Sequence, residues 1–372
     1  MSPTRFIGNG RFPTMITAIT RYLHERYGAP VDIQSIRELN GQPAGSDTLK
    51  QFGYGRPILV TYHVDGAEKS EVFHRIRHNA FGRERDDDRV AVVWLDYHTF
   101  NRLPRHVTAV DMLLHTPDGR LQSIQTADEL LLVTTYQPGQ LYAADLARIR
   151  DEGVLQPTDW QRAATLAHYL ADIHQPSHPD PTLWRRRLRD LIGHGEGIMG
   201  LTDSYPPDLA YADEHYLEEM ETLANRWRWR LKGRHHRLRQ VHGDFHPFNI
   251  GFDENGALFV LDRSRGEWGE PADDVSCLTI NYLFFSLQRD GQWARPFTDL
   301  HDHFWQHYLA TRPDEELTAV IQPWFAWRAL VLASPLWYPH LTETTRRQLL
   351  TFARRVLTID RFDYGRIKEL LA

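Results

Sequence analysis

The chain has 372 residues, 41% of them hydrophobic and 25% charged, with a formal net charge of −6; this is an ordinary globular balance, long enough for two or more structural units, and it offers no basic footprint for nucleic acid. One cysteine, Cys277, excludes an internal disulfide, and no Cys/His cluster stands at zinc spacing, which predicts a reducing, cytoplasmic setting. Neither a signal-type apolar core near the N-terminus nor a run of about 18 apolar residues is present, so no membrane association is expected.

Apolar positions Ile16, Ile19, Leu23 and Tyr27 recur at helical spacing and stop at Gly28-Ala29-Pro30, predicting a leading helix over 12–27. From there the pattern turns strand-like over 33–39, 58–64, 71–77, 106–114 and 129–136, with Asp65-Gly66 and Asp118-Gly119 as hairpin turns. These runs predict one antiparallel sheet, interrupted by a helix over 87–100. Beyond Pro138-Gly139 the spacing is helical over 141–151, 158–174, 184–191, 211–231, 273–288, 294–311, 317–332 and 342–358, with Thr158 and Asp273 where helices should start. The expected class is α+β and bilobal: a small antiparallel-sheet lobe over 1–136 and a larger, mainly helical lobe over 137–372, hinged near 134–139.

The most specific stretch is His242-Gly243-Asp244-Phe245-His246-Pro247-Phe248-Asn249, followed by a short strand, the turn Asp253-Glu254-Asn255-Gly256, and a second strand ending at Asp262. A tight hairpin brings Asn249 and Asp262 to one end, where hard oxygen donors suit magnesium and Asp244 faces an incoming hydroxyl. Phosphoryl transfer needs that set of groups. Each residue alone is as readily a turn former; three at this spacing point to the chemistry.

The same stretch resembles the catalytic loop of the aminoglycoside phosphotransferase and choline kinase-like superfamily, relatives of protein kinases. The likeness continues through Asp262 and Gly269-Glu270-Pro271-Ala272-Asp273-Asp274, similar to that family's Gly-x-Pro-x-x-Asp segment. It implies a protein-kinase-like fold that uses ATP and Mg2+, held in a cleft between the lobes, to phosphorylate a hydroxyl on an aminoglycoside-, amino alcohol- or sugar-like acceptor. It further implies Asp244 as catalytic base, Asn249 and Asp262 as metal ligands, and Asp274 with His242 as supports of the loop. His246 is left with two roles, positioning phosphate or packing. Where many relatives carry an aromatic residue and an acid after the metal ligand, this chain has Arg263-Ser264-Arg265-Gly266-Glu267. Arg263 and Arg265 are candidates for reading phosphate or a substrate anion, or else form a solvated ion pair with Glu267.

On the nucleotide side the marks are looser. Gly41, Gly45 and Ser46 follow the first strand, where glycines let backbone N–H groups approach phosphate. Alternation in the third strand points to Arg75 as the phosphate-binding cation, with Asp88 on the next helix as its partner, and Thr135 and Tyr136 lie at the hinge. Gly195-Glu196-Gly197-Ile198-Met199-Gly200 matches a dinucleotide fingerprint literally, but no strand precedes it, and a loop near the acceptor is expected instead. The acids of 213–221 are expected on a solvated face, and the aromatics around Trp324, Trp327 and Trp337 in helix packing rather than an aromatic cage. A nucleotide-binding regulator without turnover is the rival class, kept open by the replaced strand lysine and the arginines after Asp262. A protein kinase is disfavoured by the short 262–274 segment.

Overall fold

The computed structural model describes residues 12–39, 57–102, 104–127, 129–263 and 265–372. Gly41, Gly45, Ser46 and Ser264 lie outside the described residues. The chain divides into two compact units, Met1–Thr134 and Thr135–Ala372, and its architecture is α+β.

In the first unit, helix α1 (Phe12–Tyr27) buries Ala18, Ile19, Tyr22 and Leu23 against Val60, Tyr62 and Val64. Those last three line one face of β2 (Ile58–Val64), which pairs antiparallel with β1 (Asp32–Glu38) and β3 (Ala67–Phe73) in the order β1-β2-β3. Asp65 and Gly66 both take positive φ, +49° and +76°, as a two-residue hairpin requires. That turn sets the register: Val64 faces Ala67, so β3 starts at once and ends at Phe73. The expected third strand over 71–77 is therefore corrected, and Arg75 falls in irregular backbone beyond it. Helix α2 (Asp86–Phe100) follows, and β4 (Leu113–His115) and β5 (Leu121–Ser123) form a separate ribbon rather than more of one sheet.

No strand forms over 129–136. Leu130, Leu131, Leu132 and Val133 are 64–90% exposed and carry no ladder. β-propensity makes a strand only where a neighbour pairs with it.

In the second unit, β6 (Gln140–Leu141) leads into α3 (Tyr142–Glu152), α4 (Pro157–Ile173), α5 (Pro181–Gly193), α6 (Ile198–Asp203) and α7 (Glu214–Leu231). Then come β7 (Arg239–Gln240), β8 (Ile250–Phe252), β9 (Leu258–Val260) and β10 (Trp268–Gly269). Helices α8 (Pro271–Asp290), α9 (Phe297–Thr311), α10 (Gln322–Ala333), α11 (Glu343–Thr358) and α12 (Ile367–Leu371) complete the unit. Helix α8 is buried on every side from Pro271 to Leu287, which makes it the central element of this core. The large side chains Trp184, Phe245, Phe304, Trp305 and Phe325 belong to the same buried core, to which α8 itself contributes Tyr282.

Two expected caps are corrected. Helix α4 starts at Pro157 with Gln156 and Asp159 as a capping box, not at Thr158; α8 is capped by Glu270, three residues before Asp273. The stretch 317–332 breaks into a single 3-10 turn and α10, because Pro323 lacks an N–H and fits only a helix's first turn. Of the glycine-rich 195–200 stretch, 195–197 form the expected loop and 198–200 open α6, where Gly200 comes so close to the Gly195 backbone that a Cβ would overlap it. Trp324, Phe325 and Trp327 are buried, while Trp337 is exposed. Among the described residues no helix is long and apolar enough to cross a membrane.

Candidate active site

The expected hairpin is present. Strand β8 pairs with β9 and with β6, and its turn is fixed by the Asp253 carboxylate, which accepts the N–H groups of Asn255 at 2.9 Å and Ala257 at 2.8 Å. At Gly251 the Phe259 ring fills the place a Cβ would take. The Leu261 N–H donates to the Asn249 carbonyl at 2.8 Å, so the start of one arm and the end of the other are tied together. Asp262 comes next with φ +48°, a left-handed conformation uncommon outside glycine and of the kind found at functional sites.

The loop before the hairpin hangs from α8. Both oxygens of Asp274 accept backbone N–H groups at 2.7 Å, from Gly243 and His242. The second oxygen also meets His174 Nε2 at 3.1 Å, and His174 Nδ1 lies 2.8 Å from the Tyr308 hydroxyl. All of this is buried. Burial pushes the Asp274 carboxyl up, but His174 and the loop N–H groups outweigh it and hold the carboxyl below its ordinary range. Gly243 turns the chain here with φ +87°, which favours glycine. His242 Nδ1 accepts the Asp244 N–H at 3.3 Å, and its ring packs edge-on against Phe245.

Asp244 itself is mostly buried, its side chain 13% exposed. Its Oδ1 receives two guanidiniums, Arg328 at 2.7 Å and Arg265 at 2.8 Å, while Oδ2 lies 3.7 Å from His246 Nε2. Burial raises its pKa; the charges of Arg328 and Arg265 outweigh that and bring it to about 2. The carboxylate is thus ionised at any physiological pH. Burial lowers the His246 pKa, favouring a neutral ring, and its Nδ1 accepts the Phe248 N–H at 3.1 Å.

Asn249 donates its amide N–H to the Asp244 carbonyl at 3.1 Å, which leaves the amide oxygen as its donor atom toward a cation. Asp262, exposed at the hairpin end, offers a carboxylate. Among the described residues no group of three or more His, Cys, Asp or Glu is arranged to hold a metal ion. Magnesium needs no such cage, since it takes one or two protein oxygens and completes its shell with phosphate and water. The donor set of Asn249 and Asp262 fits that demand.

The arginines after Asp262 are built into the loop. Arg263 donates to the Val241 carbonyl at 2.9 and 3.1 Å and to the Glu267 carbonyl at 3.3 Å, in place of a solvated side-chain ion pair. Arg265 adds the Gly243 carbonyl and the Glu196 carboxylate, both at 3.3 Å, to its bond with Asp244, and it lies over the Trp327 ring. Trp327 Nε1 donates to the Glu196 carbonyl at 2.7 Å. The rejected dinucleotide fingerprint therefore forms one wall of the Asp244 site. Sequence reading assigns Trp327 to helix packing and the Glu196 segment to a loop near the acceptor, and gives Arg328 no role; the signal for Arg328 is a lone arginine inside the apolar run of α10.

The nucleotide-side candidates are less gathered. Arg75 is exposed beyond β3, and Asp88 accepts the Arg85 N–H at 2.8 Å as part of the α2 capping box. The cation at the middle of β3 is Lys69, whose ammonium stands 4.5 Å over the Tyr27 ring. Thr135 and Tyr136 are exposed in irregular backbone.

No protein-family model matches the chain, and no curated protein matches it. Among solved structures the chain is similar to a glucosamine kinase, with 18% identity over 58% of this chain and 61% of that one and a TM-score of 0.40. It is also similar to an amicoumacin kinase in complex with AMP-PNP and Ca2+, at 15% identity over 85% and 90% with a TM-score of 0.41. A Plasmodium vivax ethanolamine kinase is similar at 11% identity over 88% and 82%, with a TM-score of 0.35. The chain spans about three fifths of the glucosamine kinase it matches. These likenesses are distant, and the functional reading rests on the residues of the site.

Proposed function

We propose that the chain is an ATP- and magnesium-dependent phosphotransferase that moves the terminal phosphoryl group to a hydroxyl of a small molecule. The observation that carries this reading is the anchored loop: Asp274 holds the His242 and Gly243 amides, and an ionised Asp244 follows on the same backbone as Asn249 and the hairpin to Asp262. Asp244 orients the acceptor hydroxyl and takes its proton. A carboxylate with a low pKa is a weak base, yet that suits a loose transition state in which positioning contributes more than proton abstraction. Asn249 and Asp262 would hold the metal, which when bound neutralises charge on the phosphate oxygens. Arg75 and the backbone at Gly41, Gly45, Ser46, Thr135 and Tyr136 are assigned to the nucleotide, with Asp88 in support of α2.

One observation favours the rival reading of a nucleotide-binding regulator. Both guanidiniums bind the same oxygen of Asp244, as in a carboxylate held for structure. The two readings separate in a phosphate-transfer screen with labelled ATP and Mg2+ against aminoglycosides, amino alcohols, sugars and ketosamines, run beside Asp244→Ala. Transfer to one class, lost in the variant, supports the enzyme. Transfer to none, with ATP bound equally by both proteins, supports the regulator.

A further inference from the structure

We infer that Arg328, on α10, is the positioning residue for Asp244, acting with Asp273 and Arg187 as a ring of charges; this rests on the phosphotransfer reading of Asp244. The ring can be followed atom by atom. Arg328 Nη1 donates to Asp244 Oδ1 at 2.7 Å, and its Nη2 donates to Asp273 Oδ1 at 2.7 Å and to the Gly243 carbonyl at 3.2 Å. Asp273 Oδ2 faces Arg187 Nη2 at 3.6 Å. Arg187 Nη1 donates to the Arg265 carbonyl, and the Arg265 guanidinium returns to Asp244 at 2.8 Å. Five segments are joined this way: the Asp244 loop, α8, α10, α5 and the Arg265 segment between β9 and β10.

The ring acts on one side of one carboxylate. Arg328 is buried, its guanidinium 3.9 Å over the Trp327 ring, and it is the charge shared by Asp244 and Asp273. A planar fork that binds a carboxylate, a carbonyl and a second carboxylate has one orientation, so it sets the rotamer of Asp244. With Oδ1 held, Oδ2 is the oxygen turned toward His246 and available to an acceptor hydroxyl. Arg265 differs in being 21% exposed and sharing its charge with the exposed Glu196. Arg328 is the fixed member of the pair.

The test pairs kinetics with a crystal structure, using Mg2+-dependent ATP hydrolysis with water as acceptor. Arg328→Met is expected to lower kcat roughly 100-fold, as a misplaced catalytic group does, with KM for ATP unchanged. Arg328→Lys restores the charge without the fork and is expected to recover only part of the rate. Should Arg328→Met not fold, the double variant Arg328→Met/Asp273→Asn removes one charge of each sign and is expected to show the same loss. A crystal structure of either variant should show the Asp244 carboxylate turned from its wild-type place. Wild-type kcat in a folded variant without the guanidinium overturns the inference, as does an unmoved Asp244. Equal hydrolysis by wild type and Asp244→Ala defeats the phosphotransfer reading instead; the position of Asp244 in the crystal still decides the role of Arg328.

Discussion

The Asp244 loop of the second unit and the three-stranded sheet of the first differ in how their charged side chains are used. Around Asp244 the charges are buried and shared: Asp274 serves two backbone amides and a histidine, and Arg328 serves two carboxylates and a carbonyl. The charged side chains of the first unit make simpler contacts, at positions that run from exposed (Lys69) through partly exposed (Arg26 with Glu71, 25% and 17%) to nearly buried (Asp88, 9%). Lys69 lies on Tyr27, Arg26 on Glu71, and Asp88 on its own helix end. Buried, shared charges commit a site to one geometry because any member left alone bears the full cost of desolvation, whereas exposed pairs are worth little. This contrast supports the proposal that the loop, rather than the sheet, carries the chemistry.

The largest expected effect that can break the contrast comes from Asp274→Ala. It removes the acceptor for two loop amides and the partner of a buried histidine, and is expected to cost about 3–5 kcal/mol in denaturant unfolding of the second unit. A loss under about 1 kcal/mol would place this loop in the same class as the sheet. Next in size, Asp262→Asn is expected to weaken magnesium-dependent nucleotide binding about tenfold while leaving metal-free binding alone. Titration calorimetry with and without Mg2+ reads this directly, and an unchanged magnesium dependence would remove Asp262 from the ligand set.

How much of this was legible before the fold follows from the same physics. The loop was readable because its groups are local: Asp244, Asn249 and Asp262 lie on one loop and the hairpin that follows it, and Asp274 is one helix start away. Arg328 was not, since 84 residues separate it from Asp244 and an arginine in an apolar helix does not say which buried acid it meets. In the sheet unit the apolar runs were seen, but their ends were not. The hairpin turn at Asp65-Gly66 decided where β3 begins, and it put Lys69 at mid-strand and Arg75 outside. The run through Leu130–Val133 had every residue a strand wants except a partner.

Acid should sharpen the comparison further. Asp314 meets Arg237 at 2.9 and 3.0 Å and Arg312 at 2.8 Å; burial raises its carboxyl, but these guanidiniums outweigh it and hold it well below its ordinary range. A carboxyl depressed in the folded state adds stability that is complete above its unfolded pKa near about 4 and is lost as pH falls toward the folded value. Asp314→Asn is therefore expected to lower stability at neutral pH and to flatten its decline below about pH 4. An equally steep decline in the variant, followed by circular dichroism, would mean that other groups carry it. The smallest effects belong to the sheet unit. Asp88→Ala should cost about 1 kcal/mol through the lost cap of α2, and Lys69→Ala about 0.5–1 kcal/mol through the lost contact with Tyr27. Thermal unfolding of the two variants checks both.

The central claim is that Asp244, on a loop held from below and flanked by Asn249 and Asp262, is the group that orients the attacking oxygen. Steady-state ATP hydrolysis, with and without Mg2+, in wild type and in Asp244→Ala tests it most directly. The prediction is a magnesium-dependent rate that falls roughly 100-fold or more in the variant, with ATP still bound. Equal rates in the two proteins would contradict it.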